Sequence, residues 1–189
     1  MHRDLKSANV FLNHDQTIKL GDMNVSKKAN QEGLNFTQTG TPYYASPEVW
    51  KDEQYGFKSD IWSLGCVIYE LITFSPPFQA EDMQGLFKKV VKGIYPRIPK
   101  TFSKDLGNFI KQLLQVHPNS RPNCDELLQM PVILNRAKKL CPKIYFELTD
   151  RDKFKKSDNL LKTIYVPKYH VQQKAPVDEA KLDQFVRYI

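Results

Sequence analysis

The first 22 residues contain two short runs of β-prone side chains on either side of a polar tetrad. The runs are Asn9 to Leu12 and Thr17 to Leu20, and Asn13 to Gln16 lies between them. Two such runs around a turn-forming tetrad predict a β-hairpin. From Asp22 to Pro47 the apolar positions lose their periodicity, and Thr, Gly, Asn, Gln and Pro become frequent. We therefore expect a long loop, and long loops in compact domains are usually functional.

The most apolar part of the chain predicts one long, buried helix. Ser59 or Asp60 can cap its start, and Pro76-Pro77 follows its expected end near Thr73. The apolar positions that surround most of its circumference, as in a buried helix, are Ile61, Trp62, Leu64, Val67, Ile68 and Leu71. Amphipathic patterns predict three further helices at about Glu81 to Lys92, Ser103 to Val116 and Asn123 to Gln129. The expected fold is mainly α with a small β-hairpin.

Charge divides the chain into two parts. Residues 1–135 hold 15 Lys and Arg against 14 Asp and Glu, whereas residues 136–189 hold the other 13 basic and 7 acidic residues. A nearly neutral body argues against nucleic-acid binding by the fold itself. A basic tail is more often a solvated segment or a docking surface for acidic partners. We expect residues 135–189 to form a basic, partly disordered extension, with a short helix near Asp178 to Tyr188.

The sequence lacks the usual signals for membranes, secretion and cysteine-based sites. The longest strongly apolar stretch, Ile61 to Ile72, is 12 residues long and contains Glu70, too short and too polar to span a bilayer. The first residues lack the apolar segment of a secretory signal. Three widely separated cysteines predict neither a disulfide framework nor a zinc site. These features lead us to expect a soluble, cytoplasmic protein.

The residues with the most specific chemistry lie mainly in the first 48 positions. His2-Arg3-Asp4-Leu5-Lys6-Ser7-Ala8-Asn9 fits the pattern H-R-D-L-x-x-x-N. Asp22 follows the second predicted strand, Gly40 to Tyr44 precedes Ser46-Pro47-Glu48, and Ser59 to Gly65 opens the buried helix. One such motif occurs easily by chance, but the whole ordered series does not.

In this order and spacing, the motifs resemble the C-terminal lobe of a eukaryotic Ser/Thr protein kinase over about residues 1–134. Lys6 to Leu12 and Gly40 to Glu48 are most similar to the NimA-related kinases. The resemblance implies a mainly α kinase lobe that carries the small hairpin. It also implies transfer of the ATP γ-phosphate to Ser or Thr hydroxyls of protein substrates, with ATP and Mg²⁺ as cofactors.

The resemblance implies chemical roles for the matching residues. Asp4 is the carboxylate that accepts or orients the proton of the substrate hydroxyl. Lys6 brings a positive charge to the transferring phosphoryl group and favours Ser and Thr as substrates. Asn9 and Asp22 offer the oxygen ligands that Mg²⁺ prefers, and Phe11 would form part of the floor under adenine.

By the same resemblance, the segment from Asp22 to Ser46 is an activation segment. Thr41 resembles the threonine that bonds the catalytic Asp and shapes the substrate pocket. Thr37 and Thr39 are candidate phosphosites, and Thr37 matches the NimA-related position better. A phosphate there would add about −1.5 to −2 charges and could pair with Arg3. An unmodified polar loop is the alternative.

Other matching residues are expected to be structural. His2 resembles a packed, hydrogen-bonded histidine of the core. Glu48 is expected to pair with Arg121, a type of buried pair that is costly to break from one side. Asp60 resembles a residue that holds the backbone of the catalytic loop.

The sequence departs from the family in two places. Asp22-Met23-Asn24 replaces Asp-Phe-Gly, a conservative variant, because Met fills apolar slots and Asn tolerates left-handed backbone angles. The Gly-rich loop and the Lys–Glu pair of the N-terminal lobe are absent from this sequence. We therefore expect Met1 to be an internal methionine of a longer protein and this fragment alone to have little or no kinase activity.

Two other hypotheses remain open. The surface toward the N-terminal lobe would be exposed and apolar, and such a surface favours association with that lobe or a partner protein. The chain could therefore be a non-catalytic half-kinase that acts as a scaffold. A small nucleic-acid-binding protein that acts through its tail has only the net charge in its support. The family's associations also allow a cytoskeletal or ciliary location.

Overall fold

The computed structural model describes residues 1–15, 17–22 and 42–149. These residues are mostly helical and contain one antiparallel hairpin, which confirms the predicted fold class. The strands are β1 (Val10–Leu12) and β2 (Ile18–Leu20). The helices are α1 (Pro47–Trp50), α2 (Phe57–Thr73), α3 (Met83–Lys92), α4 (Lys104–Leu113), α5 (Cys124–Leu128), α6 (Pro131–Leu140) and α7 (Pro142–Thr149). Short 3-10 turns lie at Ser7–Asn9, Pro42–Tyr44 and Pro118–Ser120.

The hairpin brings the residues just before β1 next to those just after β2. Its register pairs Val10 with Leu20, Phe11 with Lys19 and Leu12 with Ile18. At the turn, the Asn13 amide donates to the Thr17 carbonyl at 2.9 Å, and Asp15 accepts from both the amide and the hydroxyl of Thr17. Beyond the strands, the Gly21 amide donates to the Asn9 carbonyl at 2.9 Å. The hairpin was therefore correctly predicted, with each strand one residue shorter than expected.

Helix α2 begins earlier than the sequence indicates. Gly56 occupies its N-cap position, so the prediction that Ser59 or Asp60 caps this helix is wrong. Both side chains bond to other segments instead. The Ser59 hydroxyl donates to Glu48, and the Asp60 carboxylate accepts from backbone amides near the start of the chain. The helix ends at Thr73, where the sequence predicts its end.

Most of α2 is buried in the core of the fold. Trp62 is fully buried, and its ring stacks on Phe78 with centroids 5.2 Å apart. Gly65 lets α4 approach closely, because a Cβ at this position would lie 2.8 Å from the Leu113 Cβ. Leu71 departs from the expected all-round burial and is 64% exposed. The residues that form the main buried cluster with Trp62 and Phe78 are Cys66, Tyr69, Leu86, Val90, Ile110 and Leu114.

Side-chain caps set the starts of three shorter helices close to the predicted positions. Asp82 caps α3 and Ser103 caps α4. Asn123 and Glu126 form a capping box at α5, in which each side chain accepts from the other's backbone amide. These interactions satisfy amide groups that the first helical turn leaves without partners.

Helix α4 ends at Leu113, before the predicted end at Val116. The carbonyls of Gln115 and Val116 accept hydrogen bonds from the Arg121 guanidinium at 2.7 and 3.0 Å. Arg121 therefore supplies donors to two carbonyl groups that lie between the end of α4 and the predicted end of the helix.

The described part of the expected extension, residues 135–149, is mostly helical. Helices α6 and α7 each begin with proline, the residue whose missing N–H and fixed φ suit a first helical position. Leu148 is buried, and its carbonyl accepts from the Gln129 side chain at 3.1 Å. The described helices thus continue past residue 134, and the compact unit runs from Met1 to Thr149. Residues 150–189, with the helix expected near Asp178 to Tyr188, lie outside the described residues.

Up to Thr149, within the described ranges, the structure has no helix with the length and apolar character that crossing a membrane requires.

Candidate active site

The first residues form a loop whose backbone is held by Asp60 in the first turn of α2. One carboxylate oxygen of Asp60 accepts from the His2 amide at 2.8 Å, and the other accepts from the Arg3 amide at 2.9 Å. Arg3 has φ +73°, a left-handed conformation that costs a non-glycine residue about 1–3 kcal/mol. The two charge-assisted hydrogen bonds stabilise this conformation and fix the loop on the core of the fold.

The His2 side chain joins the loop to the end of the hairpin. It is 7% exposed, and its Nε2 donates to the Gly21 carbonyl at 3.0 Å. Its Nδ1 then accepts from the Asp4 amide at 3.4 Å. This is the packed, hydrogen-bonded position that the sequence predicts for His2, and it orients the peptide that carries Asp4.

Asp4 lies at the centre of a small polar cluster on this loop. Its Oδ2 is 2.7 Å from Lys6 Nζ and 3.2 Å from Asn9 Nδ2. The same Asn9 nitrogen donates to the Asp4 backbone carbonyl at 2.8 Å. The Asp4 side chain is 11% exposed and that of Lys6 is 25% exposed. The carboxylate is therefore fixed by two partners while part of it stays accessible to a proton donor from solvent.

The structure also brings the two candidate metal ligands to the same end of the hairpin. The bond from the Gly21 amide to the Asn9 carbonyl places Asp22, the next residue, beside the end of the candidate catalytic loop, residues 2–9. Because the Asn9 amide nitrogen is directed at Asp4, its side-chain oxygen is the atom left for a cation. One amide oxygen and one carboxylate suit Mg²⁺, which retains water and phosphate oxygens as its other ligands.

Phe11 lies on β1, next to these residues and on the same face of the hairpin as Lys19. Its side chain is 54% exposed, and its ring packs over Gly21, where an added Cβ would lie 2.5 Å from Phe11 Cε2. A side chain at position 21 would therefore displace the Phe11 ring from this position. A flat, accessible apolar ring at this position fits the floor of a nucleotide site.

A hydrogen-bond network that the sequence analysis missed links the catalytic loop to α2. The Tyr44 hydroxyl donates to Glu70 Oε2 at 2.6 Å, so the Ser7 hydroxyl, 3.1 Å away, donates to Tyr44. Burial, followed by the hydrogen bond to Glu70, raises the pKa of Tyr44. The Ser63 hydroxyl also donates to the Tyr44 carbonyl at 2.9 Å. The sequence signal for this network is Glu70, the one charged residue in the apolar run from Ile61 to Ile72.

Glu48 and Arg121 form a buried, bidentate ion pair. Arg121 Nη1 lies 2.7 Å from Glu48 Oε1, and Nη2 lies 2.8 Å from Oε2. The Glu48 side chain is 3% exposed and that of Arg121 is fully buried. Burial acts to raise the pKa of Glu48, but hydrogen bonds and charge from Arg121, together with the Ser59 hydroxyl, outweigh it and hold the pKa below its usual value.

Arg121 connects several segments beyond this pair. Its remaining N–H groups donate to backbone carbonyls of Lys58, Gln115 and Val116. Its guanidinium also lies 5.0 Å from the centre of the Trp62 ring. All five donors are therefore used, and they join α1, the start of α2 and the chain after α4.

Several predicted site residues cannot be placed. Thr37, Thr39, Thr41 and the Met23-Asn24 dipeptide lie outside the described residues. Arg3, the expected partner of a loop phosphate, has its guanidinium carbon 5.9 Å from the Tyr55 ring centre.

Comparison with known proteins extends the geometric result. The family model for the protein kinase domain matches residues 1–133. The chain is 49% identical over 138 residues to the probable serine/threonine-protein kinase nek3 of Dictyostelium discoideum, a match that covers 70% of this chain and 12% of that protein. It is 44% identical over 133 residues to the G2-specific protein kinase nim-1 of Neurospora crassa, covering 70% and 16%. The serine/threonine-protein kinase Nek1 of Mus musculus is 40% identical over 149 residues, covering 78% and 12%.

These matches cover most of this chain but a smaller part of each relative. The chain spans 12% of the length of nek3 and 35% of the length of another matched relative, the probable serine/threonine-protein kinase nek2 of Dictyostelium discoideum. The relatives confirm the resemblance to the NimA-related kinases. The matched domain includes both the catalytic loop and the Glu48–Arg121 pair. The chain belongs to the protein kinase domain family, and its curated relatives named here are NimA-related kinases.

Proposed function

We propose that this chain supplies the catalytic loop of a serine/threonine protein kinase that transfers the ATP γ-phosphate to protein hydroxyls. The observation that carries the proposal is the Asp4 carboxylate fixed between Lys6 at 2.7 Å and Asn9 at 3.2 Å. Phosphoryl transfer depends mostly on positioning and on charge stabilisation. A fixed carboxylate with a neighbouring ammonium group provides both.

In this proposal each residue has a stated role in phosphoryl transfer. Asp4 orients the hydroxyl of the substrate and accepts its proton. Lys6 places its positive charge beside the phosphoryl group that is transferred, where it stabilises the developing negative charge. Asn9 holds Asp4 through its amide nitrogen and offers its oxygen to Mg²⁺, as does the Asp22 carboxylate. When bound, the Mg²⁺–ATP complex supplies the phosphoryl group and neutralises part of its charge.

The exposed face of the hairpin supports a further element in the complete protein. Three large apolar side chains on one face of these two short strands are more than half exposed, namely Leu12, Ile18 and Leu20. Contiguous apolar surface of this kind marks an interaction site. We propose that another part of a longer protein covers this face and completes the nucleotide site. The isolated chain should then have little or no kinase activity.

The test compares two Asp→Asn variants of the native protein. The protein is isolated from its own cells with an antibody against residues 136–189 and incubated with labelled ATP and a basic protein substrate. Asp4→Asn should lower phosphate transfer about 10²–10⁴-fold, the usual contribution of a general base. Asp105→Asn, an exposed change on α4, should leave it unchanged. Full activity of Asp4→Asn would contradict the proposed role.

The amino acid that receives the phosphate tests the substrate class separately. Acid hydrolysis of the labelled substrate should release phosphoserine or phosphothreonine. Phosphotyrosine as the main product would contradict the specificity that we assign to Lys6 while leaving the catalytic role of Asp4 intact.

A second candidate function, a non-catalytic scaffold, is favoured by the same exposed apolar hairpin. An immunoblot with the antibody against residues 136–189 distinguishes the two. A native product much larger than the 22.0 kDa of this chain supports the kinase. A product of 22.0 kDa that co-purifies with a partner and transfers no phosphate supports the scaffold.

A further inference from the structure

A second surface feature of the fold is a basic groove at α4. It has a volume of about 1000 Å³ and lies between the end of α3, the connection at residues 93–103 and α4 with the residues that follow it. The cationic side chains that line this basic groove are Lys92, Arg97, Lys100, Lys104 and Lys111, with His117 beside them. The set of described residues that line it contains neither Asp nor Glu. The groove therefore presents only positive charge, on a body (residues 1–135) whose net charge is +1.

The floor of the basic groove is apolar and firmly attached to the core. Ile98 and the partly exposed Phe102 line it, and Ile98 Cδ1 lies 3.6 Å from the position of a Cβ on Gly107 of α4. Tyr95, which also lines it, packs edge-on against the Tyr69 ring at 5.7 Å. The connection between α3 and α4 is therefore held in place, so the groove is formed before any ligand binds.

The charges of the groove side chains are available to a partner. All five Lys and Arg side chains are exposed. Within residues 1–15, 17–22 and 42–149, the ion pairs of the structure join other residues. The tail is an unsuitable occupant, because residues 136–189 hold 13 basic against 7 acidic residues and would be repelled. A ligand with several negative charges is the complement of this surface.

We propose that the basic groove binds an acidic, Asp- or Glu-rich segment of a partner protein that also carries an apolar side chain. The carboxylates of the segment meet the five cations at the rim, and its apolar side chain packs on Ile98 and Phe102. The groove is a separate site from Asp4, because the residues that line it lie between Lys92 and His117 and include neither Asp4 nor its partners. The proposal therefore stands independently of phosphoryl transfer.

The test measures binding of a short, fluorescent, Glu-rich peptide with one central Leu to the full 189-residue chain. A peptide with every Glu replaced by Gln is the ligand control. Arg97→Glu combined with Lys104→Glu should weaken binding at least about tenfold, or about 1.4 kcal/mol. The matched variant, Lys88→Glu with Lys143→Glu, makes the same change in net charge at exposed positions outside the groove and should retain affinity within about twofold.

Equal losses in the two double variants would overturn the proposal, since they would show attraction by net charge alone. Tighter binding of a single-stranded oligonucleotide than of the peptide would also overturn it and identify a nucleic-acid surface instead. If a variant fails to fold, hydrogen exchange on the unmodified chain still tests the proposal. Hydrogen exchange with bound peptide should slow at residues 93–104 and 108–117, and protection confined to other segments would contradict the assignment.

Discussion

Replacement of Arg121 by Met is the most informative perturbation of the fold. Methionine has a comparable length and fits an apolar core, so the change removes the charge and all five donors with little change in shape. It leaves the Glu48 carboxylate, 3% exposed, with the Ser59 hydroxyl as its hydrogen-bond donor among the described side chains. Three backbone carbonyls also lose the donors that Arg121 supplies.

The expected loss of unfolding free energy is large. Breaking a buried ion pair from one side typically costs about 3–5 kcal/mol, because the remaining charge has no compensation. A domain of this size has about 5–15 kcal/mol in total, so Arg121→Met should lose a substantial part of its stability. Replacing Glu48 by Leu in the same chain removes the isolated charge. The double variant should therefore be more stable than the sum of the single losses predicts, by about 0.5–3 kcal/mol.

Urea unfolding followed by circular dichroism measures these differences. With a slope of about 2 kcal/mol per molar urea, the loss for Arg121→Met corresponds to a midpoint about 1.5–2.5 M lower. Arg136→Met is the matched control, because Arg136 is exposed on α6, and its effect should stay within about 0.5 kcal/mol. An Arg121→Met midpoint close to that of the control would refute the argument. Strictly additive losses in the double variant would refute the coupling between the two residues.

Four other predictions follow from individual contacts. Gly65→Ala should destabilise the fold by about 1–3 kcal/mol, because its Cβ would meet Leu113 Cβ at 2.8 Å. Gly107→Ala should stabilise it by about 0.5–1 kcal/mol, because the nearest atom to the new Cβ would be 3.6 Å away. Thermal unfolding of the two variants tests both predictions, and equal unfolding midpoints would contradict them. Asp60→Asn should speed hydrogen exchange of the two loop amides that it accepts, whereas unchanged exchange would mean that other contacts hold the loop. The folded-state pKa of Glu48 lies below its unfolded value of about 4.5, so its contribution is complete above that value and is lost as the pH falls through the folded pKa. Urea midpoints should therefore fall below about pH 4.5 more steeply in the native chain than in Glu48→Gln, and parallel curves would contradict this.

Much of the fold could be predicted because its signals are local. The hairpin depends on two short β-prone runs and a turn, and these lie within a dozen residues. Helix α2 depends on an unbroken apolar pattern that ends before Pro76-Pro77. The helix starts at Asp82, Ser103 and Asn123 depend on caps within three residues of the amides they accept from. Interactions of such short range leave their pattern directly in the sequence.

The errors arose where a side chain serves a distant segment. Ser59 and Asp60 are good N-cap residues by type, but the structure uses them 11 and up to 58 residues away, at Glu48 and His2. A local pattern cannot show such competition, because the competing partner is remote in sequence.

The sequence by itself determined which residue types stand in the candidate catalytic loop, because the order and spacing of its motifs can be read without a structure. Only the tertiary structure decided how those residues meet. The Ser7–Tyr44–Glu70 network joins residues 26 to 37 positions apart, and the basic groove collects cations from α3, α4 and the connection between them. The network leaves no run or repeat in the sequence, whereas the groove cations all lie between Lys92 and Lys111 and only their arrangement around Ile98 and Phe102 depends on the fold. Packing around α2 creates the network, because burial of its apolar surface brings distant polar side chains together.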